Sequence, residues 1–310
     1  MRTRAIVAAA TVAALGFVPE GASQAPSGPA STDIYLASLS TRQGRLVVGA
    51  PVNVTRRPGY DNQPTFTRDG QALLYTVIAS DGQADIYRYD LRTKTSRRVT
   101  STPESEYSPT VYSDGTRFSV VRVEADSTQR LWSFQLDGSD PRVVFQQLKP
   151  VGYHAWVDTS TVALFVLGSP NTLLLADTRT GRADTVARDV GRSLVPLPLG
   201  GGFSFTQRMP DSSWVLTAVD VRQTRGGRHS MMLPVARMPR GADYIVWLAP
   251  ARAITGSGSK LFLLTRERGP LKWEELADLT RYRMGRISRL ALSPDRKSLA
   301  IVAEPLAASR

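Results

Sequence analysis

The sequence predicts an all-β fold, a six-bladed β-propeller whose blades are four-stranded antiparallel sheets. First, a unit of short apolar runs returns at an offset of 45 residues. Second, Asp-Gly pairs separate the runs, and such pairs supply the positive φ angles of tight hairpin turns. Third, each end of the chain carries part of one further unit. A repeat of about 40–45 residues with four strands is typical of a propeller blade.

The first three units show the repeat most clearly. Pro64–Gly70 returns as Pro109–Gly115, and one more step of 45 residues reaches His154 and the residues after it. Four strands are predicted in the first unit, at Thr65–Thr67, Ala72–Ile78, Asp85–Leu91 and Ser96–Thr100. The second and third units follow the same plan, so each unit is predicted to be one blade.

The remaining blades are predicted from weaker repeats. Leu194–Val221 and Tyr244–Leu279 are assigned to the fourth and fifth blades, and about 287–304 supplies only two strands of a sixth. The missing strands are expected within 33–55, because an Asp-Ile-Tyr motif opens both this segment and the third strand of the first unit. Pairing the two ends would close the ring and remove free strand edges. Residues 26–310 are therefore predicted to form a single propeller domain.

The N-terminus has the layout of a secretory signal peptide. Arg2 and Arg4 precede an apolar run of 14 residues from Ala5 to Val18, and small residues follow. The run is shorter than the roughly 20 residues that a membrane-spanning helix needs. We expect residues 1–25 to be cleaved and the mature protein to be periplasmic or secreted, without membrane insertion.

The composition narrows the classes of partner. The net charge of +12 comes mostly from arginines scattered along the chain, which favours a solvated surface. A nucleic-acid site would mass its basic residues and interleave them with stacking aromatics, so no nucleic-acid partner is expected. The absence of cysteine excludes disulfides and a cysteine-linked lipid anchor. The sequence thus predicts a monomeric globular propeller.

Three segments resemble the signature of TolB-type propellers, in which an acidic residue, a proline and an aromatic residue precede Ser-Pro-Asp-Gly. These segments are Asp61–Gly70, Glu106–Gly115 and Ser293–Lys297. The resemblance is specific in about 58–160 and 287–302, and it covers the propeller without the α/β domain that precedes it in TolB proper. It implies a propeller that binds other proteins of the cell envelope and has no catalytic activity.

Asp61, Glu106 and His154 are the candidate acid–base or cation-binding residues. By the repeat, His154 takes the place of Pro64 and Pro109, where the first strand of a blade begins beside the axial channel. The two carboxylates stand three residues before those prolines. A histidine and two carboxylates around one channel could act as acid and base, as in propeller lyases. The sequence favours the other reading, in which the carboxylates accept backbone hydrogen bonds between blades.

Tyr60, Tyr107 and Tyr153 recur in what the sequence predicts to be the loops that enter three successive blades. Tyrosines on neighbouring loops would place amphipathic rings around one face, which suits protein or glycan contact. Packing between blades is the alternative for these tyrosines. The tryptophans fall inside predicted strands and are assigned to the core.

Taken together, these features predict a non-enzymatic binding or scaffold protein of the cell envelope, with an envelope protein as partner. The predicted binding residues are Tyr60, Asp61, Glu106, Tyr107, Tyr153 and His154. No metal or cofactor is predicted, because the chain has no cysteine and only two histidines. The alternative is a propeller lyase or hydrolase acting on a polysaccharide or a small ester or lactone through polar channel residues. A G-x-S-x-G nucleophile elbow is absent from the sequence.

Overall fold

A computed structural model describes residues 29–224, 227–266 and 269–306. The predicted signal peptide, residues 1–25, lies outside the described residues. Within those ranges the chain is all-β apart from one short 3₁₀ turn at Thr280–Tyr282. No helix in this part of the chain is long and apolar enough to cross a membrane.

The strands are numbered in chain order. They are β1 (Asp33–Arg42), β2 (Arg45–Val48), β3 (Val52–Asn53), β4 (Tyr60–Phe66), β5 (Ala72–Ile78), β6 (Ala84–Asp90), β7 (Thr95–Arg98), β8 (Ser105–Val111), β9 (Arg117–Val123), β10 (Gln129–Gln135), β11 (Arg142–Val143), β12 (Val151–Trp156), β13 (Thr161–Val166), β14 (Thr172–Asp177), β15 (Ala183–Arg188), β16 (Val195–Pro196), β17 (Gly202–Arg208), β18 (Trp214–Thr224), β19 (Gly227–Arg237), β20 (Ile245–Ala249), β21 (Arg252–Ser257), β22 (Lys260–Thr265), β23 (Lys272–Asp278), β24 (Met284–Leu292) and β25 (Ser298–Pro305).

Six antiparallel sheets form the six predicted blades. Strands β4–β7, β8–β11, β12–β15, β16–β19 and β20–β23 are blades 1 to 5, each four-stranded and paired in sequence order. The first strand of each blade contacts the first strands of its two neighbours, from β4 through β24 and back to β4. The first strands are therefore innermost and surround the propeller axis.

Blade 6 closes the ring with strands from both ends of the chain, as predicted. Its sheet has the order β2-β1-β25-β24, and β3 also pairs with β1. The join runs from Asp33 opposite Ala303 to Ser38 opposite Ser298. Because β1 runs for ten residues, its far half pairs with β2, a strand that the repeat did not predict. Closure leaves the inner strands of all six blades with neighbours on both sides.

The hydrophobic core lies between adjacent blades. Val121 and Leu131 of blade 2, for example, pack with Val162 and Leu164 of blade 3, and all four are buried. Alternate residues of a strand face opposite sides of its sheet. Because each blade lies between two others, both of its faces are buried. Trp156 and Trp247 belong to this core, which confirms that assignment for these two tryptophans.

The Asp-Gly turns form as predicted. Asp69 accepts hydrogen bonds from the Thr67 hydroxyl at 2.6 Å and from the Gln71 amide at 3.0 Å. Gly70 then takes a φ of +68°, a conformation in which side chains are strained. The turn reverses the chain from the inner strand into the second strand at one end of the axis.

Candidate functional site

The inner strands enclose an axial cavity of about 410 Å³. Its mouth lies at the end where the inner strands turn into the second strands, because Arg68, Pro294 and Arg296 of these turns line it. Phe66, Trp156 and other apolar residues form much of the wall. Neither aspartate nor glutamate is among the described residues that line the cavity.

Asp61 does not face this cavity. It is fully buried on β4, and its Oδ1 accepts a hydrogen bond from Arg57 Nε at 2.8 Å. Arg57 also donates to the carbonyl oxygens of Tyr60 and Ile78. Burial raises the pKa of the Asp61 carboxyl to about 6, although Arg57 opposes the shift. Asp61 thus holds the start of the inner strand of blade 1 through Arg57.

Glu106 has the equivalent role in blade 2. It is fully buried on β8, and its Oε1 accepts from Arg122 Nε at 3.0 Å and from the Thr102 hydroxyl. Arg122 lies opposite Glu106 on β9, and its guanidinium carbon is 4.4 Å from the centre of the Trp132 ring. Burial raises the pKa of Glu106. Asp61 and Glu106 are therefore bound by side chains close to them in sequence or paired on the next strand, and the prediction of backbone hydrogen bonds between blades was wrong.

His154 is the one of the three candidate acid–base residues that lines the cavity, and it is only 6% exposed. Its Nε2 lies 2.6 Å from Ser119 Oγ of blade 2. Ser119 Oγ also accepts a hydrogen bond from the indole N–H of Trp156. Its own hydroxyl donates to the carbonyl oxygen of Thr110 at 3.2 Å. Every partner is satisfied when Nε2 carries the imidazole proton and donates to Ser119.

This tautomer leaves His154 Nδ1 as a buried acceptor without a partner among the described residues. Burial lowers the pKa of His154 to about 3, so the imidazole is neutral at physiological pH. No group of three or more histidine, aspartate or glutamate side chains in the described ranges is arranged to hold a metal ion. The structure therefore does not bring Asp61, Glu106 and His154 together around the cavity.

The three predicted tyrosines lie inside inner strands and not in the loops before them. Tyr60 opens β4, and Tyr107 and Tyr153 are the third residues of β8 and β12. The loop placement was wrong because β4 and β8 continue past their prolines through a bulge, with positive φ at Gln63 and Ser108. A bulge accommodates a residue that cannot donate to the ladder.

These tyrosines have different surroundings. Tyr107 packs into the core between blades 2 and 3. Tyr153 lines the cavity and packs edge-on against Phe165, with ring centres 5.6 Å apart. Tyr60 is half-buried, and burial raises its pKa, while the charge of Arg289 opposes the shift.

Sequence reasoning missed three residues on the cavity wall, namely Arg192, Tyr244 and Arg289. Arg289 lies between two tyrosines, with its guanidinium carbon 4.1 Å from the Tyr244 ring centre and 4.9 Å from that of Tyr153. Arg192 Nη2 lies 2.7 Å from Asp243 Oδ2. Burial raises the pKa of Tyr153, but the charges of Arg289 and Arg192 outweigh burial and lower it overall.

The strand register shows why these residues meet. Tyr153, Tyr244 and Arg289 stand three residues before Trp156, Trp247 and Leu292, which occupy matching places on the inner strands of blades 3, 5 and 6. Blade 6 carried a sequence signal for this position. Arg289 precedes Ser293 of the Ser-Pro-Asp turn by the same four residues that separate Gln63 from Thr67.

Comparison with known proteins identifies the fold. No family model matches the chain. A protein from Agrobacterium tumefaciens described as a TolB has 16% identity and a TM-score of 0.67, over 89% of this chain and 99% of that chain.

Two enzymes have similar structures. A gluconolactonase from Xanthomonas campestris, XC5397, has 12% identity and a TM-score of 0.60, over 91% of this chain and 99% of that chain. An oligogalacturonate lyase in complex with manganese has 15% identity and a TM-score of 0.53, over 82% of this chain and 80% of that chain. At these identities the likeness concerns the fold, so the neighbours do not decide between binding and catalysis. The chain has the TolB-like six-bladed β-propeller fold.

Proposed function

We propose that this chain is an exported, non-enzymatic binding protein of the cell envelope that holds a partner protein at the mouth of the axial cavity. The proposal rests above all on the arrangement of the candidate acid–base groups. Asp61 is bound to Arg57 and Glu106 to Arg122, and none of the described residues that line the cavity carries a carboxylate. Carboxylates are common acid–base groups and metal ligands in hydrolysis, and the described cavity wall offers a substrate none.

The mouth of the cavity has the character of a binding surface. Arg68 and Arg296 stand there beside Pro198 and Pro294, and the neighbouring Leu199 is 85% exposed. Arginines and exposed apolar side chains on a rigid scaffold are common anchors in protein interfaces. The two arginines favour a partner segment that carries acidic residues.

The six sequence-predicted residues have two roles in this proposal. Tyr153 and His154 line the cavity and lie where a bound segment would reach the axis. The other four position the inner strands that carry the mouth, and they are Tyr60, Asp61, Glu106 and Tyr107.

Export is the second part of the proposal, and the N-terminal sequence supports it. A positively charged start, a short apolar run and small residues before position 26 are typical of a secretory signal. Cell fractionation followed by mass measurement of the mature chain tests this directly. A periplasmic or secreted protein that begins near residue 26 is expected, and a cytoplasmic protein with an intact N-terminus would contradict it.

Partner binding is tested by cross-linking in the host cell and capture through a C-terminal tag. The test variant is Arg68→Glu/Arg296→Glu, which reverses the charge at the mouth. The matched control is Arg42→Glu/Arg45→Glu, which makes the same change on two exposed arginines of the β1–β2 hairpin. One envelope protein should be captured by wild type and control and lost from the mouth variant. Equal capture by all three would contradict the proposal.

A propeller lactonase or lyase is the second candidate, favoured by the unpartnered Nδ1 of His154 in the cavity and by the two similar enzymes. Elemental analysis of the purified protein, with assays on gluconolactone and oligogalacturonate, separates the candidates. A stoichiometric divalent metal and turnover that His154→Asn abolishes would favour the enzyme. The binding proposal predicts neither.

A further inference from the structure

The floor of the axial cavity is the end away from the mouth, which Arg192, Tyr244 and Arg289 line. Arg289 is held there in a fixed orientation. The rings of Tyr244 and Tyr153 lie 4.1 Å and 4.9 Å from its guanidinium carbon. Aromatic faces attract a guanidinium, but they do not replace the acceptors that its five N–H groups require. Neither a hydrogen bond nor an ion pair joins the guanidinium of Arg289 to any other residue in the described ranges. Its donors therefore remain available to the cavity.

The charge of the cavity is also uncompensated. Arg68, Arg192, Arg289 and Arg296 line it, and no described lining residue is acidic. Of these four arginines, Arg192 alone has a carboxylate partner among the described residues, Asp243 at 2.7 Å, which lies outside the lining. Bringing a positive charge out of bulk water without a partner is costly, and an anion in the cavity would offset that cost.

A second buried group lacks a partner beside Arg289. The Tyr244 hydroxyl is buried and bonds to no described residue. Burial raises the pKa of Tyr244 well above its ordinary value, although Arg289 opposes the shift, so the hydroxyl keeps its proton and can donate. A guanidinium edge and a phenol together form a donor set that suits a carboxylate.

Above this floor, apolar side chains form part of the wall, beside polar ones such as Thr65, Thr110 and His154. The position that His154 occupies in blade 3 is proline, leucine or isoleucine in the other five blades. These residues are Pro64, Pro109, Leu194, Ile245 and Leu290. Small-molecule sites commonly combine an apolar wall with a few placed polar groups, in volumes of roughly 300–1,000 Å³.

We propose that the axial cavity binds a small organic acid, with its carboxylate against Arg289, Arg192 and the Tyr244 hydroxyl and its apolar body against the proline and leucine wall. The carboxylate would lie deeper in the cavity than Arg68 and Arg296, the two arginines at the mouth. The organic-acid site and the protein partner are therefore tested with different variants.

The test is isothermal titration of the purified protein with benzoate, benzamide and inorganic phosphate at low ionic strength. Benzoate and benzamide share a ring and differ in charge, so benzamide should bind at least about tenfold more weakly. Phosphate should also bind more weakly than benzoate, because it has no apolar body. Phosphate binding as tight as benzoate would overturn the organic-acid class, and no benzoate binding at 20 mM, roughly the ceiling for a millimolar site, would overturn the site.

The variants are Arg289→Met and the surface control Arg281→Gln. Arg281 also stacks on a tyrosine, with its guanidinium carbon 4.8 Å from the Tyr282 ring centre, but it lies on the surface. Arg289→Met should abolish benzoate binding, and Arg281→Gln should leave it unchanged.

Thermal unfolding of the ligand-free protein gives a second readout. Methionine packs well against aromatic rings and removes the unpaired charge, so Arg289→Met should unfold at a higher temperature than wild type. A lower unfolding temperature would make Arg289 a structural partner of the tyrosines and overturn the proposal. Unchanged benzoate binding by Arg289→Met would do the same.

Discussion

The indole nitrogen of Trp247 donates a hydrogen bond to the hydroxyl of Ser204 at 2.8 Å, which joins blade 5 to blade 4. The same link recurs between blades 3 and 2, where Trp156 donates to Ser119 at 2.9 Å. Both serines are fully buried on second strands. A buried tryptophan needs a partner for its N–H, and here the neighbouring blade supplies it.

Ser204→Ala should therefore destabilise the propeller by about 1–3 kcal/mol, because it leaves the Trp247 N–H buried without an acceptor. Urea unfolding measures the change. Trp247→Phe should lower the free energy of unfolding less in the Ser204→Ala background than in wild type, since the two residues form one hydrogen bond. Ser40→Ala, at an exposed position of β1, should change stability by less than about 0.5 kcal/mol. Equal effects of Ser204→Ala and Ser40→Ala would contradict the link.

Asp61 should make the protein less stable as pH rises from about 4 to about 6. Burial raises its folded pKa from 3.8 to about 6, so the folded state binds more protons than the unfolded state in this window. At neutral pH the ionised Asp61 should therefore lower the free energy of unfolding by on the order of 3 kcal/mol, at 1.4 kcal/mol per pKa unit. Asp61→Asn keeps an oxygen for Arg57 and removes the charge. Its free energy of unfolding should exceed that of wild type at pH 7 and match it near pH 4.

Asp137 provides the control for this experiment. It is exposed, and hydrogen bonds from the side chain and amide of Ser139 lower its pKa. Asp137→Asn should therefore have the opposite effect: its free energy of unfolding should be lower than that of wild type at pH 7, and the difference should shrink at low pH. If Asp61→Asn is instead less stable than wild type at pH 7 and the difference shrinks at low pH, the Arg57 ion pair outweighs burial and the raised pKa of Asp61 is wrong.

Removing Arg122 should damage the fold more than removing its whole ion pair. Arg122→Met leaves Glu106 buried without its guanidinium, a change that typically costs about 3–5 kcal/mol. The double variant Glu106→Gln/Arg122→Met should recover most of that loss. Urea unfolding of the wild type and three variants forms the cycle. A double variant as unstable as Arg122→Met alone would mean that packing of Arg122 on Trp132, and not the charge of Glu106, sets the cost.

The repeat predicted the fold because each blade restates the same physical requirements. Asp-Gly turns and alternating apolar strands recur wherever a blade must reverse the chain and bury both faces. The register also places His154 at the position of Pro64 and Pro109, as the 45-residue offset indicated. Closure through β1 and β25 followed from counting strands at the two ends.

The cavity floor could not be predicted in the same way. Arg192, Tyr244 and Arg289 belong to blades 4, 5 and 6, where turns of varied length break the offset between units. Their meeting depends on ring closure, which brings blades distant in sequence to one axis. The prolines of blades 1 and 2 led to predicted inner strands that begin too late, because a bulge lets each inner strand continue through its proline.

His154 should stay neutral across physiological pH. Burial lowers its folded pKa to about 3, below the ordinary value of 6.5, so the unfolded state binds more protons between pH 6.5 and 3. Its contribution to stability is complete above pH 6.5 and is lost as pH falls through that window. Long-range ¹H–¹⁵N spectra should show one tautomer with the proton on Nε2, unchanged from pH 5 to 8.

The same residue in urea-unfolded protein is the control, where it should titrate near 6.5. His154→Asn assigns its signals by their disappearance. A folded-state titration between pH 6 and 7 would mean that water or a charged group reaches the imidazole. In that case His154 could exchange protons with a ligand in the cavity at neutral pH, and the lactonase or lyase alternative would gain over the binding proposal.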